Sequence, residues 1–366
     1  MRSIAGFNWA NKRITRKAKE TRLIGLGIES SCDETSVAIV KDASTVLAEA
    51  TFSQIALHKP YAGVVPEIAS RAHQEKFPYL LQEVFQKAEV SLYSLDYVAV
   101  TMRPGLVGSL LTGFITGKTI AELSGAKLIP IHHLEAHFYA ILLNGHKIQY
   151  PFLGFLISGG NTALYRMDAL GKMNLIGDTM DDAAGEALDK AASLLHLPYP
   201  GGPSIEQIAK QAKGKQKKKN PFPRPLHTHQ NEIRFSYSGL KTALLYHLQK
   251  NPIKNEQEKA EIAFYFQQRL IEHLSNNLEK AIVQNPDLNL VIAAGGVTAN
   301  QEIRKQFQEI CTKYNKTLLI PALKYCTDNA AMIAALGGMY YKENMFPVAE
   351  AVSSQKGMFP LEEVTP

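Results

Sequence analysis

A repeated order of elements restricts the fold more than any other feature of this chain. "LIGLGIESS", "TSVAIVKD" and "STVLAEATFS" read as three successive strands, β-branched and separated by turn residues. The helical stretch "PEIASRAHQEKFPYLLQEVFQKA" follows, with Pro66 at its start, then the strand "DYVAVT". "GLVGSLLTGFITGKTIAELSG" is a helix whose small residues invite close packing, and the strand "KLIPI" ends the block. The same order then begins again. "PFLGFLISGG", "TALYRMD" and "MNLIGDT" are strands, and "DDAAGEALDKAASLL" is a helix with acids in its first turn, as the helix dipole favours. A long helix from about Glu256 to Val283, the strand "LNLVIAAGG", the helix "QEIRKQFQEICTKY" and the strand "KTLLIP" complete it. "TDNAAMIAALGGMYY" adds a closing helix that Thr327 or Asp328 is placed to cap. No residue-level repeat accompanies the repeated order.

Strands alternating with helices make α/β layers. A duplicated order makes two such units with a cleft between them, ligands sitting at strand C-terminal ends. The expected division is a basic arm over 1–22, a first unit over 23–147 and a second over 148–325 with a helical insertion and a basic loop at 210–224. The helix at 326–345 is expected to return to the first unit.

With 366 residues the chain is long enough for this plan. No apolar run approaches the roughly 20 residues a bilayer span needs. Three cysteines, Cys32, Cys311 and Cys326, argue against a disulfide framework and for a reducing compartment. Seven Lys or Arg against Glu20 alone place the whole net charge of +6 in residues 1–22. Such an arm suits nucleic acid, or a mitochondrial presequence, although serine is scarce in it. The cytoplasm is therefore the expected location, with the mitochondrial matrix as the alternative. "KQAKGKQKKKNPFPR" at 210–224 carries seven basic residues and no acid. It reads as a solvated loop or as a phosphate-contacting patch.

Three polar turns follow apolar strands. "GIESSCDETS" offers Asp33 and Glu34 beside hydroxyls, and its backbone amides can cradle a phosphate. "LISGGNT" places Gly159 and Gly160 where a ligand can approach the backbone, and "AAGGVTAN" leads to Asn300, ready to hydrogen-bond a ligand hydroxyl. One such turn is weak evidence, but three in this order have the layout of a two-part nucleotide cleft. "IHHLEAHFYAILL" sets His133 and His137 one helical turn apart, where they can share a metal ion. A zinc protease would carry its glutamate directly after the first histidine. Here Glu135 stands two positions on, about 200° around a helix. A different metal enzyme, or a helix with structural histidines such as His132, remains open on spacing alone.

The ordered motifs "GIESSCDETS", "AGVVPEIASRAH", "RPGLVGSLLTG", "HHLEAH", "LISGGNT", "DDAAGEALDK", "YPGGP", "FSYSGLKTAL", "AGGVTAN" and "CTDNAAMIA" resemble the TsaD family over roughly residues 23–342. The family usually has histidine where this chain has Asn161. The resemblance implies an α/β fold of the duplicated actin/Hsp70/sugar-kinase (ASKHA) type. It also implies transfer of the threonylcarbamoyl group from threonylcarbamoyl-AMP to a tRNA adenosine. The family's metal ligands match His133, His137 and Asp328, with one Fe2+ or Zn2+ per chain. Its adenylate pocket, which AMP or ATP can also occupy, matches Leu156, Ile157, Ser158, Gly159, Gly160, Asp189, Gly202, Glu206 and Asn300. Asp33 and Glu34 match the acidic pair expected to take the proton from the amine. The implied partners are tRNA, a threonylcarbamoyl-adenylate synthase and TsaB- and TsaE-like proteins. The rival readings are a kinase or carbamoyltransferase of the same fold, a metalloprotease and a non-catalytic nucleotide-binding scaffold.

Overall fold

The computed structural model describes residues 22–61, 63–212, 219–226 and 232–347. The basic arm before residue 22 lies outside them, as do Lys215, Lys217 and Lys218 of the basic loop; Lys219 is exposed.

The first half runs β1 (Ile24–Glu29), β2 (Glu34–Lys41), β3 (Thr45–Ser53), the short α1 (Ile55–His58), α2 (Pro66–Ala88), β4 (Tyr97–Arg103), α3 (Val107–Ser124), β5 (Lys127–His132) and α4 (His133–Tyr139). The second runs β6 (Phe152–Ile157), β7 (Thr162–Ala169), β8 (Lys172–Asp178), α5 (Ala184–Leu194), α6 (Gly201–Ala209), α7 (Ser238–Lys250), α8 (Glu256–Gln284), β9 (Leu290–Ala294), α9 (Gln301–Lys313), β10 (Thr317–Leu319) and α10 (Ala330–Lys342).

The sheets are ordered β3-β2-β1-β4-β5 and β8-β7-β6-β9-β10, the same order twice. The pairing senses repeat as well. β1–β2 and β2–β3 are antiparallel, as are β6–β7 and β7–β8. β1–β4 and β4–β5 are parallel, as are β6–β9 and β9–β10. The central strands are covered on both faces, which is why they read as continuous apolar runs rather than alternating ones.

Helices α2 and α3 seal one face of the first sheet, with Phe77, Val84 and Ile120 against Ile28, Val98 and Val100. Helices α5 to α9 seal the outer face of the second, with Leu188, Phe266 and Phe307 against Leu153, Phe155 and Val291. The two remaining faces share one core, and α4 and α10 fill it. Each of these helices ends its own half and packs on the other half's sheet. On α4, the Phe138 ring lies 6.1 Å from those of both Phe152 and Tyr165. On α10, Ala330 N donates to Ser36 Oγ at 3.0 Å, and Ala334 O accepts from the Tyr97 hydroxyl at 2.7 Å. α10 presses so close to β1 that a Cβ on Gly27 would stand 2.1 Å from Ala330 O.

Two local expectations are corrected. The N-cap of α10 is Asn329, whose side chain accepts from Met332 N at 2.9 Å, not Thr327 or Asp328. α5 begins only at Ala184, so Glu186 is the one acid in its first turn. Asp181 instead accepts from Tyr237 N and Ser238 N and from the hydroxyls of Ser236 and Ser238. Asp182 pairs with Lys190 at 2.7 Å and Lys241 at 2.6 Å. These acids fasten the "FSYSGLK" segment to α5, a tertiary demand that outranks the local helix dipole.

Candidate metal centre and nucleotide cleft

β5 hands directly into α4, and His132 caps the junction by accepting from Glu135 N at 3.4 Å. The i,i+4 spacing then brings the rings of His133 and His137 together edge-on, with centroids 4.8 Å apart. Asp328, in the segment that leads into α10, reaches the same point. Its Oδ1 lies 3.6 Å from His133 Nε2 and 3.3 Å from His137 Nε2. The three ligand atoms fall within 4.8 Å of one another. The approach of His137 to Asp328 lacks hydrogen-bond geometry, and neither ring nitrogen of this buried histidine has a partner among the described residues. An unsatisfied buried polar group costs about 1–3 kcal/mol. A cation between the three side chains would satisfy it, so the donor set fits a single metal ion. Two nitrogens and one oxygen suit zinc or iron.

Charge couples the three side chains and Glu29. Burial works against the His133 cation, but Glu29 and Asp328 overcome it and raise the pKa to about 9. Burial likewise works against the Asp328 carboxylate, yet His133 and His137 bring it down to about 2. Glu135 turns away from the ligands. Its two oxygens accept from Gly171 N at 3.0 Å and from the Tyr340 hydroxyl at 2.8 Å, and burial raises its pKa to about 7. The glutamate of the histidine motif therefore joins α4 to the β7–β8 turn and to α10, and is not the base of a zinc protease.

The glycine turn after β6 is held from below and open above. Ser158 N donates to Asn161 O at 2.7 Å, and the carbonyls of Ser158 and Gly159 accept from Gly185 N and Glu186 N at the start of α5. A Cβ on Gly159 or Gly160 would meet nothing within 4 Å, and both residues are exposed. Leu156 and Ile157 are fully buried, so they anchor the turn rather than line it with their side chains. The third turn abuts this one. Gly295 has φ +96°, and a Cβ there would stand 2.5 Å from Ile157 O, which leaves glycine alone acceptable. Gly296 reaches toward Thr327, next to Asp328; a Cβ there would lie 3.6 Å from the Thr327 methyl.

The other expected residues divide. Asp189 accepts from Gly201 N at 2.7 Å, and burial raises its pKa. Gly202 follows in the first turn of α6. Glu206 accepts from Gln301 N at 3.2 Å and pairs with Lys210 at 2.7 Å. Asn300 is buried and caps α9, accepting from Glu302 N and Ile303 N while donating to Gln267 at 3.0 Å. In this structure its side chain serves the helix first. Glu34 opens β2, and burial together with the charges of Asp328 and Asp33 pushes its pKa up to about 9. Asp33 adjoins it, and its carbonyl accepts from Gln54 N at 3.0 Å.

Two residues escaped the sequence reading. His73 accepts from the Thr35 hydroxyl at 2.7 Å and donates to Cys32 O at 3.0 Å, so it grips both ends of the acidic loop. Its signal was the histidine that ends "VPEIASRAH". Tyr199, exposed in "YPGGP", lies close enough to feel the charges of Asp189 from one half and of Asp33 and Glu34 from the other.

Comparison with known proteins follows the same lines. The chain matches the family described as "TsaD: tRNA N6-adenosine threonylcarbamoyltransferase" over residues 45–335. A tRNA N6-adenosine threonylcarbamoyltransferase of Leptospira interrogans is 46% identical over 321 residues, covering 87% of this chain and 93% of the relative. That of Geobacter sp. strain M21 is 42% identical, covering 87% and 91%. That of Thermosipho africanus is 41% identical, covering 88% and 96%. HypF of T. kodakarensis superposes with a TM-score of 0.56 at 13% identity over 88% of this chain and 48% of its own. Full-length HypF in its phosphate- and nucleotide-bound form gives 0.57 at 12%, covering 88% and 47%. At such identity the likeness concerns the fold alone, two α/β halves with the same strand order. No described helix is long and apolar enough to cross a membrane. From the family match and from relatives more than 40% identical along most of its length, the chain belongs to the TsaD family.

Proposed function

We propose that this chain transfers the threonylcarbamoyl group from threonylcarbamoyl-AMP to the exocyclic amine of the adenosine 3′ of the anticodon in tRNAs reading ANN codons. Within the TsaD family, one observation carries the reading. His133 and His137 on α4 and Asp328 just before α10 converge next to glycine turns that leave room for an adenylate. The exposed amides of Gly159 and Gly160 hold the phosphate, and Asp189, Gly202, Glu206 and Asn300 surround the nucleoside. His133, His137 and Asp328 would hold one Fe2+ or Zn2+, which would supply a Lewis acid for the acyl transfer. The amine nitrogen bonds to the carbamoyl carbon as the carbon–oxygen bond to phosphate breaks, and AMP departs with that electron pair. Asp33 or Glu34, the acidic pair of the first loop, takes the amine proton.

The test is reconstitution with threonine, bicarbonate, ATP, tRNA and a threonylcarbamoyl-adenylate synthase, with and without TsaB- and TsaE-like proteins. Digested tRNA should contain N6-threonylcarbamoyladenosine by mass spectrometry. A kinase would consume ATP without modifying tRNA, a protease would cleave protein substrates instead, and a scaffold would turn over nothing. Asp328→Ala should lose metal and transfer together. Full metal occupancy with activity gone would make Asp328 a base rather than a ligand.

A further inference from the structure

We propose that Glu29 is a positioning residue of the metal centre. From the end of β1 it fixes which nitrogen of His133 carries the proton and so aims the other at Asp328 and His137. The inference rests on the metal-binding reading above. Glu29 is 1% exposed, and its neighbours are arranged as donors. Ser31 N donates to Oε1 at 2.7 Å, and the Thr101 hydroxyl donates to Oε2 at 2.5 Å. His133 Nδ1 lies 3.1 Å from the same Oε2. An ionised carboxylate only accepts, so the proton in that contact belongs to Nδ1. Nε2 is then the metal-facing atom, and it is the nitrogen that lies 3.6 Å from Asp328 Oδ1.

His137 supplies the contrast. Its Nδ1 has no hydrogen-bond partner among the described residues, and its Nε2 meets only Asp328 Oδ1, at 3.3 Å, so no carboxylate holds this ring from behind. Of the two histidines, one is braced by a buried carboxylate and the other is not. A carboxylate behind a metal-bound histidine also makes the imidazole a stronger ligand. Glu29 and Asp328 together bring two negative charges, enough to offset a divalent cation. Glutamine cannot replace this. Its single carbonyl oxygen would have to serve Ser31 N, Thr101 and His133, while its amide group would face a donor.

The experiment uses the full chain as wild type, Glu29→Gln and Thr101→Val, stripped of metal with a chelator. Zn2+ is titrated against a chromophoric competitor, and Co2+-loaded protein is examined by visible absorption. Wild type should bind both ions. Glu29→Gln should bind Zn2+ about 10–100-fold more weakly and shift the Co2+ bands. Thr101→Val, which leaves the charge but removes one donor to Oε2, should shift both readouts less, in the same direction. Glu29→Gln with wild-type affinity and spectrum would overturn the proposal. Should that variant fail to fold, Thr101→Val decides on the same two readouts, and wild-type behaviour overturns the idea. Wild-type protein that took up neither ion would overturn the metal centre itself, and this inference with it.

Discussion

His273 lies within α8, its Nε2 accepting from Ser236 N at 3.3 Å and its ring edge-on to Phe235 and Tyr237. Burial, then the charge of Lys280, lowers its pKa to about 4, against an upward pull from Asp181. In the unfolded chain it takes up a proton below about 6.5, but in the folded chain it does not. The stability it contributes is therefore complete above that value and is lost as the pH falls toward 4, by about 3 kcal/mol. Denaturant midpoints between pH 7 and 4 should fall less steeply in His273→Gln than in wild type; parallel curves would clear His273 of this role. Gly160 makes the opposite case. With nothing near its missing Cβ, Gly160→Val should keep the melting temperature while weakening adenylate binding, measured by calorimetry. Wild-type affinity would place the cradle elsewhere. At this scale the sequence told half of each story. Helical spacing alone turned Glu135 away from the metal, but its partners Gly171 and Tyr340 stand 36 and 205 positions away, where no local rule reaches. Asn300 was read as a ligand residue alone, and the structure shows it capping α9.

Elements were more legible than their ends. The bounds of α2, 66 to 88, coincide with the apolar periodicity, and the strands lie where the β-branched runs lie. The starts of α5 and α10 were read from the wrong residues because Asp181 and Asp328 are spent on distant partners, leaving Asn329 to cap α10. The exchange of α4 and α10 between sheets sets the next expectation. The Tyr340 hydroxyl on α10 donates to Glu135 on α4, and both side chains are buried. Tyr340→Phe leaves that carboxyl oxygen without its donor and should cost about 1–2 kcal/mol. Chemical denaturation measures it, and an unchanged midpoint would mean that the two helices are held by apolar packing alone.

Across the whole molecule, the duplication was readable as an order of elements, and the last helix was expected to return to the first unit; the packing of α4 on the second sheet was not read, because no local pattern says which sheet a helix will cover. The basic arm and loop belong to this scale too. Replacing Lys215, Lys217, Lys218 and Lys219 with alanine should weaken tRNA binding and flatten the slope of log affinity against log salt, since fewer counterions are released. An unchanged slope would exclude the loop from the contact.

The exchange of helices also imposes a schedule on synthesis. When β4 leaves the ribosome, α2 covers one face of the first sheet, but Ala38, Tyr97 and Ala99 on the other face await α10. At about 5–20 residues per second, the stretch from β4 to α10 takes roughly 10–45 s to translate. Throughout that interval the nascent N-terminal half has an uncovered apolar surface for a chaperone to guard. Asp328 emerges in the same final stretch, long after the two histidines. A chain released early can neither close its first sheet nor complete its ligand set, so metal uptake reports that translation has run to the last helix.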